Sequence, residues 1–162
     1  MSSLVPPVSA VSDVLALHRL DGWLTPPVRT VVGVAAPRLA TVRTVRIEIA
    51  ERGPGLTALY DVLGDDLTGV ALVLAGAHEL AGAVWGEILS RAARLAGASV
   101  VVVDGLARDP EAMAQEGLPV YALGLGVVGP NGTAHAVEVD VPVTVGGVSV
   151  EPGDAIVADA AG

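Results

Sequence analysis

The sequence predicts an α/β domain carrying an added layer of β-strands. Three observations lead there. β-Branched runs alternate with helical periodicity through the middle of the chain, and the last third reads as short strands divided by glycine and proline turns. The third is compositional: 52 % of residues are hydrophobic but only 2 % are aromatic, so the core is built from Val, Leu, Ile and Ala.

Taken in order, Ser12 can cap a helix over Ser12–Leu20, with Val14, Leu15, Leu17 and His18 following. Val28–Ala36 and Thr41–Ile49 are β-branched and predict strands, separated at Pro37-Arg38. Leu56–Leu63 has the spacing of a short amphipathic helix, and Val70–Leu74 is a buried strand ending at Ala75-Gly76. Trp85–Ala96 is the clearest helix: Trp85, Ile88, Leu89, Ala92 and Ala96 share one face, and Glu87, Arg91 and Arg94 the other. Ser99–Val103 is a continuous apolar strand, as expected when both faces are covered. Pro110–Gln115 predicts a helix with proline in its first turn. Strands then follow at Val120–Leu123, Val137–Val139, Val143–Val145, Val148–Val150 and Ala155–Ala158, with turns at Gly146-Gly147 and Pro152-Gly153. The 162 residues suit one domain over 1–162.

Composition excludes several chemistries. All nine basic residues are Arg, so imine catalysis and a P-loop lysine are ruled out. With no Cys, a thiol nucleophile, a disulfide and a thiolate metal site are ruled out as well. The net charge is −9, concentrated in residues 82–162, where ten acids face three Arg; an acidic surface repels phosphate backbones and argues against a nucleic-acid ligand. The longest uncharged stretch, Gly117–Val137, holds Pro119, Pro130 and five Gly and cannot form a spanning helix. Met1-Ser2-Ser3-Leu4 lacks the basic start of a signal peptide, so no membrane association and a cytoplasmic location are expected.

Gly124–Gly129 matches G-x-G-x-x-G, but the turn pair Asn131-Gly132 follows where a dinucleotide site needs a helix. It reads as a glycine-rich loop, and Asn131-Gly132-Thr133 as a turn rather than a glycosylation site. His18, His78 and His135 have no metal-ligand spacing. Arg29, Arg38, Arg43, Arg46 and Arg52 alternate with Glu48 and Glu51 and read as solvated strand faces.

Two segments carry more. Asp104-Gly105-Leu106-Ala107-Arg108-Asp109 follows a buried strand, where ligands of open α/β sheets bind. Arg108 can grip a carboxylate bidentately while Asp109 holds a hard cation through oxygen; equally, Asp104 and Asp109 can cap the next helix while Arg108 pairs with an acid. In Trp85-Gly86-Glu87-Ile88-Leu89, free amides of a helix's first turn can face an anion, with Gly86 permitting close approach. Equally, Glu87 can serve the helix dipole and pair with Arg91 at i+4.

Together these segments resemble one family. Ala83-Val84-Trp85-Gly86-Glu87-Ile88-Leu89, Val101-Val102-Val103-Asp104-Gly105-x-x-Arg108-Asp109, Gly117-x-Pro119-Val120 and Val141-Pro142-Val143-x-x-Gly146-Gly147-Val148-x-Val150-x-Pro152-Gly153-Asp154 are similar, in order and spacing, to the RraA-like proteins. These comprise the regulator of ribonuclease activity A and the divalent-metal-dependent 4-hydroxy-4-methyl-2-oxoglutarate/4-carboxy-4-hydroxy-2-oxoadipate aldolases. The resemblance implies a swivelling β/β/α domain assembled as trimers or hexamers with sites between subunits. It also implies a lyase acting on a small 2-oxo acid through a pyruvate enolate, with oxaloacetate decarboxylation as a related activity. Asp109 would bind Mg²⁺ or Mn²⁺, Glu87 would hold a metal-bound water, and Arg108 with the amides of Gly86, Glu87, Ile88 and Leu89 would bind the pyruvoyl end. The other branch implies a non-catalytic protein that inhibits an RNA-degrading enzyme; retention of Arg108-Asp109 and Gly86-Glu87-x-Leu89 favours the aldolase branch. Against the family pattern, Ala75–Ala83 replaces an Asp-Gly-Gly-Gly-like turn, and the strand and helix usual at the family's C-terminal end are missing.

Overall fold

The computed structural model describes residues 5–25, 28–34 and 36–162; the leader reading at Met1–Leu4 and Ala35, within a predicted strand, lie outside them. The elements are α1 (Val8–Leu17), β1 (Arg29–Val32), β2 (Arg38–Ile49), α2 (Thr57–Val62), β3 (Val70–Ala75), β4 (Ala83–Trp85), α3 (Glu87–Leu95) and β5 (Val100–Ala107). They continue with α4 (Pro110–Glu116), β6 (Val120–Leu125), β7 (Ala134–Val139), β8 (Val143–Val145), β9 (Val148–Val150) and β10 (Ala155–Ala158).

β6, β5, β3 and β2 run parallel at the centre of the main sheet, whose order is β1-β6-β5-β3-β2-β10, with β1 and β10 antiparallel at its ends. Parallel neighbours need crossovers, and α2, α3 and α4 supply them. All three helices cover one face, where Leu59, Val62, Leu89, Ala93 and Met113 pack on Val45, Leu72, Leu74, Val101 and Val103. The β8–β9 hairpin covers part of the other face, setting Val143 and Val145 with Val42, Val73, Val102 and Tyr121. Its turn needs left-handed backbone at both central residues, and Gly146 and Gly147 supply it at φ 51° and 78°. The result is a β/β/α sandwich of layers.

Two long strands each take two partners along one edge. β2 pairs with β10 through Arg38–Thr41 and with β7 through Val45–Ile49. β5 pairs with β3 through Val100–Val103 and then with β4, Ala83 opposite Leu106 and Trp85 opposite Ala107. β3 therefore stops at Ala75, the chain makes an excursion through 76–82, and β4 resumes beside the same strand.

This second pairing corrects several sequence expectations. β5 does not end at Val103 but continues to Ala107 across an irregularity between Val103 and Leu106, because β4 and the end of β6 supply hydrogen-bonding partners. Trp85 ends β4 instead of opening α3, and is buried with its indole N–H donating to Ser90 Oγ at 2.7 Å. With Trp85 held in the sheet, α3 turns Leu89, Ser90 and Ala93 inward, leaving Ile88 78 % exposed. α1 starts at Val8, four residues before the predicted Ser12 cap, because the Val8 N–H finds the Asp159 carboxylate at 2.8 Å. Among the described residues no helix is long and apolar enough to cross a membrane.

Candidate active site

β4 and β5 deliver their last residues side by side. Arg108 leaves β5 donating its N–H to the Trp85 carbonyl at 3.0 Å, and Gly86 follows Trp85 in extended conformation. The first turn of α3 closes with Ser90 N–H on the Gly86 carbonyl at 3.0 Å, so the amides of Glu87, Ile88 and Leu89 have no acceptor within the helix. Leu89 turns its side chain into the core and can offer the site only its N–H. Glu87 is exposed, and Arg91 does not pair with it; Arg91 and Arg94 both face Glu116 of α4.

Gly86 is packed against the Arg108-Asp109 pair. A Cβ there would lie 3.0 Å from Arg108 Cγ and 3.2 Å from Asp109 Oδ2, so this backbone comes closer than a side chain comfortably allows. Arg108 Nε lies 3.5 Å from Asp109 Oδ2, and both side chains stay about half exposed, at 42 % and 48 %. Asp109 occupies the position before α4 with φ 60° and ψ 49°, and its carboxylate makes no capping bond. A left-handed residue bearing a Cβ costs about 1–2 kcal/mol. The helix does not recover that cost through a cap, and the carboxylate is left about half exposed.

The glycine-rich loop, to which the sequence attached no role, forms the third wall. Gly126 N–H donates to the Ala107 carbonyl and Ala83 N–H to the Val128 carbonyl, each at 2.8 Å, lashing the loop across the ends of β4 and β5. A Cβ on Gly129 would lie 3.4 Å from Arg108 Nη1, and one on Gly82 would overlap the Gly129 carbonyl oxygen. The spacing of Gly82, Gly126 and Gly129 was the available signal, but it becomes meaningful only once these backbones meet.

Asp104 is not a helix cap. It sits in β5, buried, where its Oδ2 accepts the Gly76 N–H at 3.1 Å and lies 3.0 Å from His78 Nδ1. The structure thus brings together Gly86, Glu87, Ile88, Leu89, Arg108 and Asp109, and sets Asp104 further back along the strand. Among the described residues no three His, Asp or Glu side chains cluster as a complete metal-binding set. A cavity of about 540 Å³ lies on the far face between α1, the hairpin and the sheet; none of these residues lines it, and the Arg108-Asp109 pair lies open at the surface.

A β/β/α sandwich with an Arg-Asp pair facing a helix N-terminus defines a class, and the comparisons agree. The RraA-like family pattern, described as Aldolase/RraA, matches residues 8–162, and the chain belongs to that family. A protein of Halalkalibacterium halodurans, whose name assigns it provisionally to the 4-hydroxy-4-methyl-2-oxoglutarate aldolases, is 29 % identical over 96 % of this chain and 70 % of its own length. The RNA-processing inhibitor RraA of Thermus thermophilis superposes with a TM-score of 0.74 at 30 % identity, over 93 % of this chain and 88 % of that one. Streptomyces coelicolor RraAS2, described as an unusual member of the RNase ES inhibitor RraA family, shares the fold with a TM-score of 0.85 at 24 % identity, over 97 % of this chain and 79 % of that one. The family holds both aldolase-type enzymes and ribonuclease inhibitors.

Proposed function

We propose that the chain is a divalent-metal-dependent lyase that cleaves 4-hydroxy-2-oxo acids and decarboxylates oxaloacetate. The observation that carries this reading is the packing of Arg108-Asp109 against Gly86 at the start of α3. It puts a cationic fork, an outward carboxylate and three unsatisfied amides around one spot.

The donor set suits a hard cation. Asp109 and Glu87 offer oxygen, and Mg²⁺ is commonly bound through one or two carboxylates while keeping several waters and taking substrate oxygens, so a cluster of three acids is not required. When bound through Asp109, such a cation supplies positive charge against the charge that develops on the 2-oxo oxygen as the C–C bond breaks. Arg108 would hold the substrate's 1-carboxylate bidentately, and the amides of Glu87, Ile88 and Leu89 would donate to the pyruvoyl oxygens. Glu87, with no ion-pair partner among the described residues, would hold a water from which a proton returns to C3.

The site's openness and the exposed apolar residues around it support assembly of several copies about it. Ile88 is 78 % and Val127 92 % exposed, with Leu125 and Val128 close in sequence to Val127. We expect a trimer or hexamer, measurable by light scattering on the eluting protein. Pyruvate release from 4-hydroxy-4-methyl-2-oxoglutarate and from oxaloacetate, with Mg²⁺ or Mn²⁺ and then with EDTA, tests the activity. Metal-dependent turnover supports the reading, and none on either substrate overturns it. Similarity to the Thermus inhibitor supports a second reading, a binding protein that restrains an RNA-degrading enzyme, tested by adding the chain to an RNA-cleavage assay.

A further inference from the structure

The chain has three histidines, and their surroundings differ sharply. His135 is buried and uses both ring nitrogens, Nδ1 accepting the Gly55 N–H at 2.9 Å and Nε2 donating to the Ala50 carbonyl at 3.1 Å. His18 ends α1 on the surface. His78 is 57 % exposed, yet its Nδ1 lies 3.0 Å from the carboxylate of Asp104, whose side chain is only 8 % exposed. No group among the described residues bonds His78 Nε2 or pairs with this histidine apart from Asp104.

Burying a carboxylate is costly, and a pair with a largely exposed partner returns little stability. Such an arrangement does orient the ring. With Asp104 Oδ2 accepting from Nδ1, the neutral ring keeps its lone pair on Nε2, as a general base requires.

The pair is joined to the candidate site through two chain segments. His78 lies in the 76–82 excursion between β3 and β4; the far end of that excursion, Gly82, rests on Gly129, which in turn lies against Arg108. Along β5, Asp104 precedes Arg108 by four residues, at most about 13 Å at the rise of a strand. The imidazole reaching out from Asp104, the long Arg108 side chain and the carbons between the 1-carboxylate and the 4-hydroxyl would together have to cover that span.

We propose that His78, oriented by Asp104, is the base that takes the C4 hydroxyl proton of a 4-hydroxy-2-oxo acid; this rests on the lyase reading above. Nε2 accepts the proton, the electron pair of the broken O–H bond forms the second C4–O bond, and the C3–C4 bond breaks with its electrons passing into the C2 carbonyl to give an enolate. A proton then returns to C3 to give pyruvate, and His78 gives up its proton to solvent.

The experiment measures metal-dependent cleavage of 4-hydroxy-4-methyl-2-oxoglutarate and decarboxylation of oxaloacetate by the full chain and by H78Q, H78A and D104N. Thermal midpoints are recorded for each variant to confirm folding. H78Q and H78A are expected to lose about a hundredfold in kcat on the hydroxy acid with KM little changed, and added imidazole to restore part of the H78A rate. D104N is expected to follow them. Oxaloacetate decarboxylation, in which no hydroxyl proton leaves, is expected to fall by less than about tenfold. Full activity of both His78 variants would overturn the proposal while leaving the lyase reading intact. An equal loss on both substrates without imidazole rescue also overturns it, because His78 then only positions the 76–82 excursion. Absence of turnover by the unmodified chain on either substrate overturns both readings together.

Discussion

Asp109 shows how little of a residue's role lies in its identity. Its carboxylate is turned out by a left-handed backbone and leaves α4 uncapped. Asp109→Asn keeps the shape and removes the charge, so Mn²⁺ binding followed by electron paramagnetic resonance is expected to weaken strongly with no change in the circular dichroism spectrum. Gly86→Ala puts a Cβ 3.0 Å from Arg108 Cγ and displaces the guanidinium by a few tenths of an ångström. Small misplacements of positioning groups are costly, and a loss of about ten- to a hundredfold in kcat/KM is expected. Tyr121 offers a test of burial on the other sheet face. Burial, and then the charge of Asp159, push its hydroxyl up to about 12. The fold favours the neutral phenol, so its contribution to stability is whole below the usual 10 and lost as pH rises through about 12. A Tyr60→Phe background leaves Tyr121 as the sole tyrosine, and its absorbance titration at alkaline pH is expected to centre near that higher value.

Among the elements, β4 is short but decides where the site forms. Its three residues hold Trp85 in the sheet, and Trp85 in turn reaches forward to Ser90 inside α3. That bond ties the strand that ends at Gly86 to the helix that begins after it. Ser90→Ala leaves a buried indole N–H without an acceptor and is expected to cost about 1–3 kcal/mol in chemical denaturation. Gly82→Ala strikes the Gly129 backbone and separates the glycine-rich loop from β4. Lower stability together with weaker carboxylate binding at Arg108 is expected, and calorimetric titration with pyruvate in the presence of Mg²⁺ measures the second effect.

Over the whole molecule, distant segments are joined by charge. Arg43 of β2 bonds Asp140 and Asp65, which hold its proton tightly, while Arg46 pairs with Glu138 and bonds the Pro142 carbonyl. The basic run read as solvated strand faces thus fastens β2 to the segment entering the hairpin and to the loop before β3. Asp159 joins the two ends of the described chain. The Val8 N–H first, and then that of Ala161, hold its carboxyl below the usual 3.8. A depressed acid stabilises the fold above its unfolded value and ceases to as pH falls through the lower folded one. α1 buries no residue, so this link matters to it, and the protection of its amides, measured as exchange relative to the intrinsic rate at each pH, is expected to be lower below about pH 4 than at pH 6.

What the sequence determined by itself was local and periodic. Continuous apolar runs marked the buried strands β3 and β5, and Gly146-Gly147 marked the hairpin, because burial on both faces and left-handed turns leave compositional traces within a few residues. The ordered motifs also pointed to Gly86–Leu89 and Arg108-Asp109 as one candidate site, and the fold packs Gly86 against that pair. Tertiary structure alone decided how that site is built. β4 exists because β5 has an edge left vacant where β3 stops, and three residues are too few to show a period. The same pairing carries β5 to Ala107 and draws Trp85 out of α3. Likewise Asp104 read as a loop residue and His78 as a lone histidine, since 26 positions separate them and only adjacent parallel strands bring a buried carboxylate to that ring. Short-range pattern reports which face a residue prefers; which residues meet across it depends on strand partners that no local window contains.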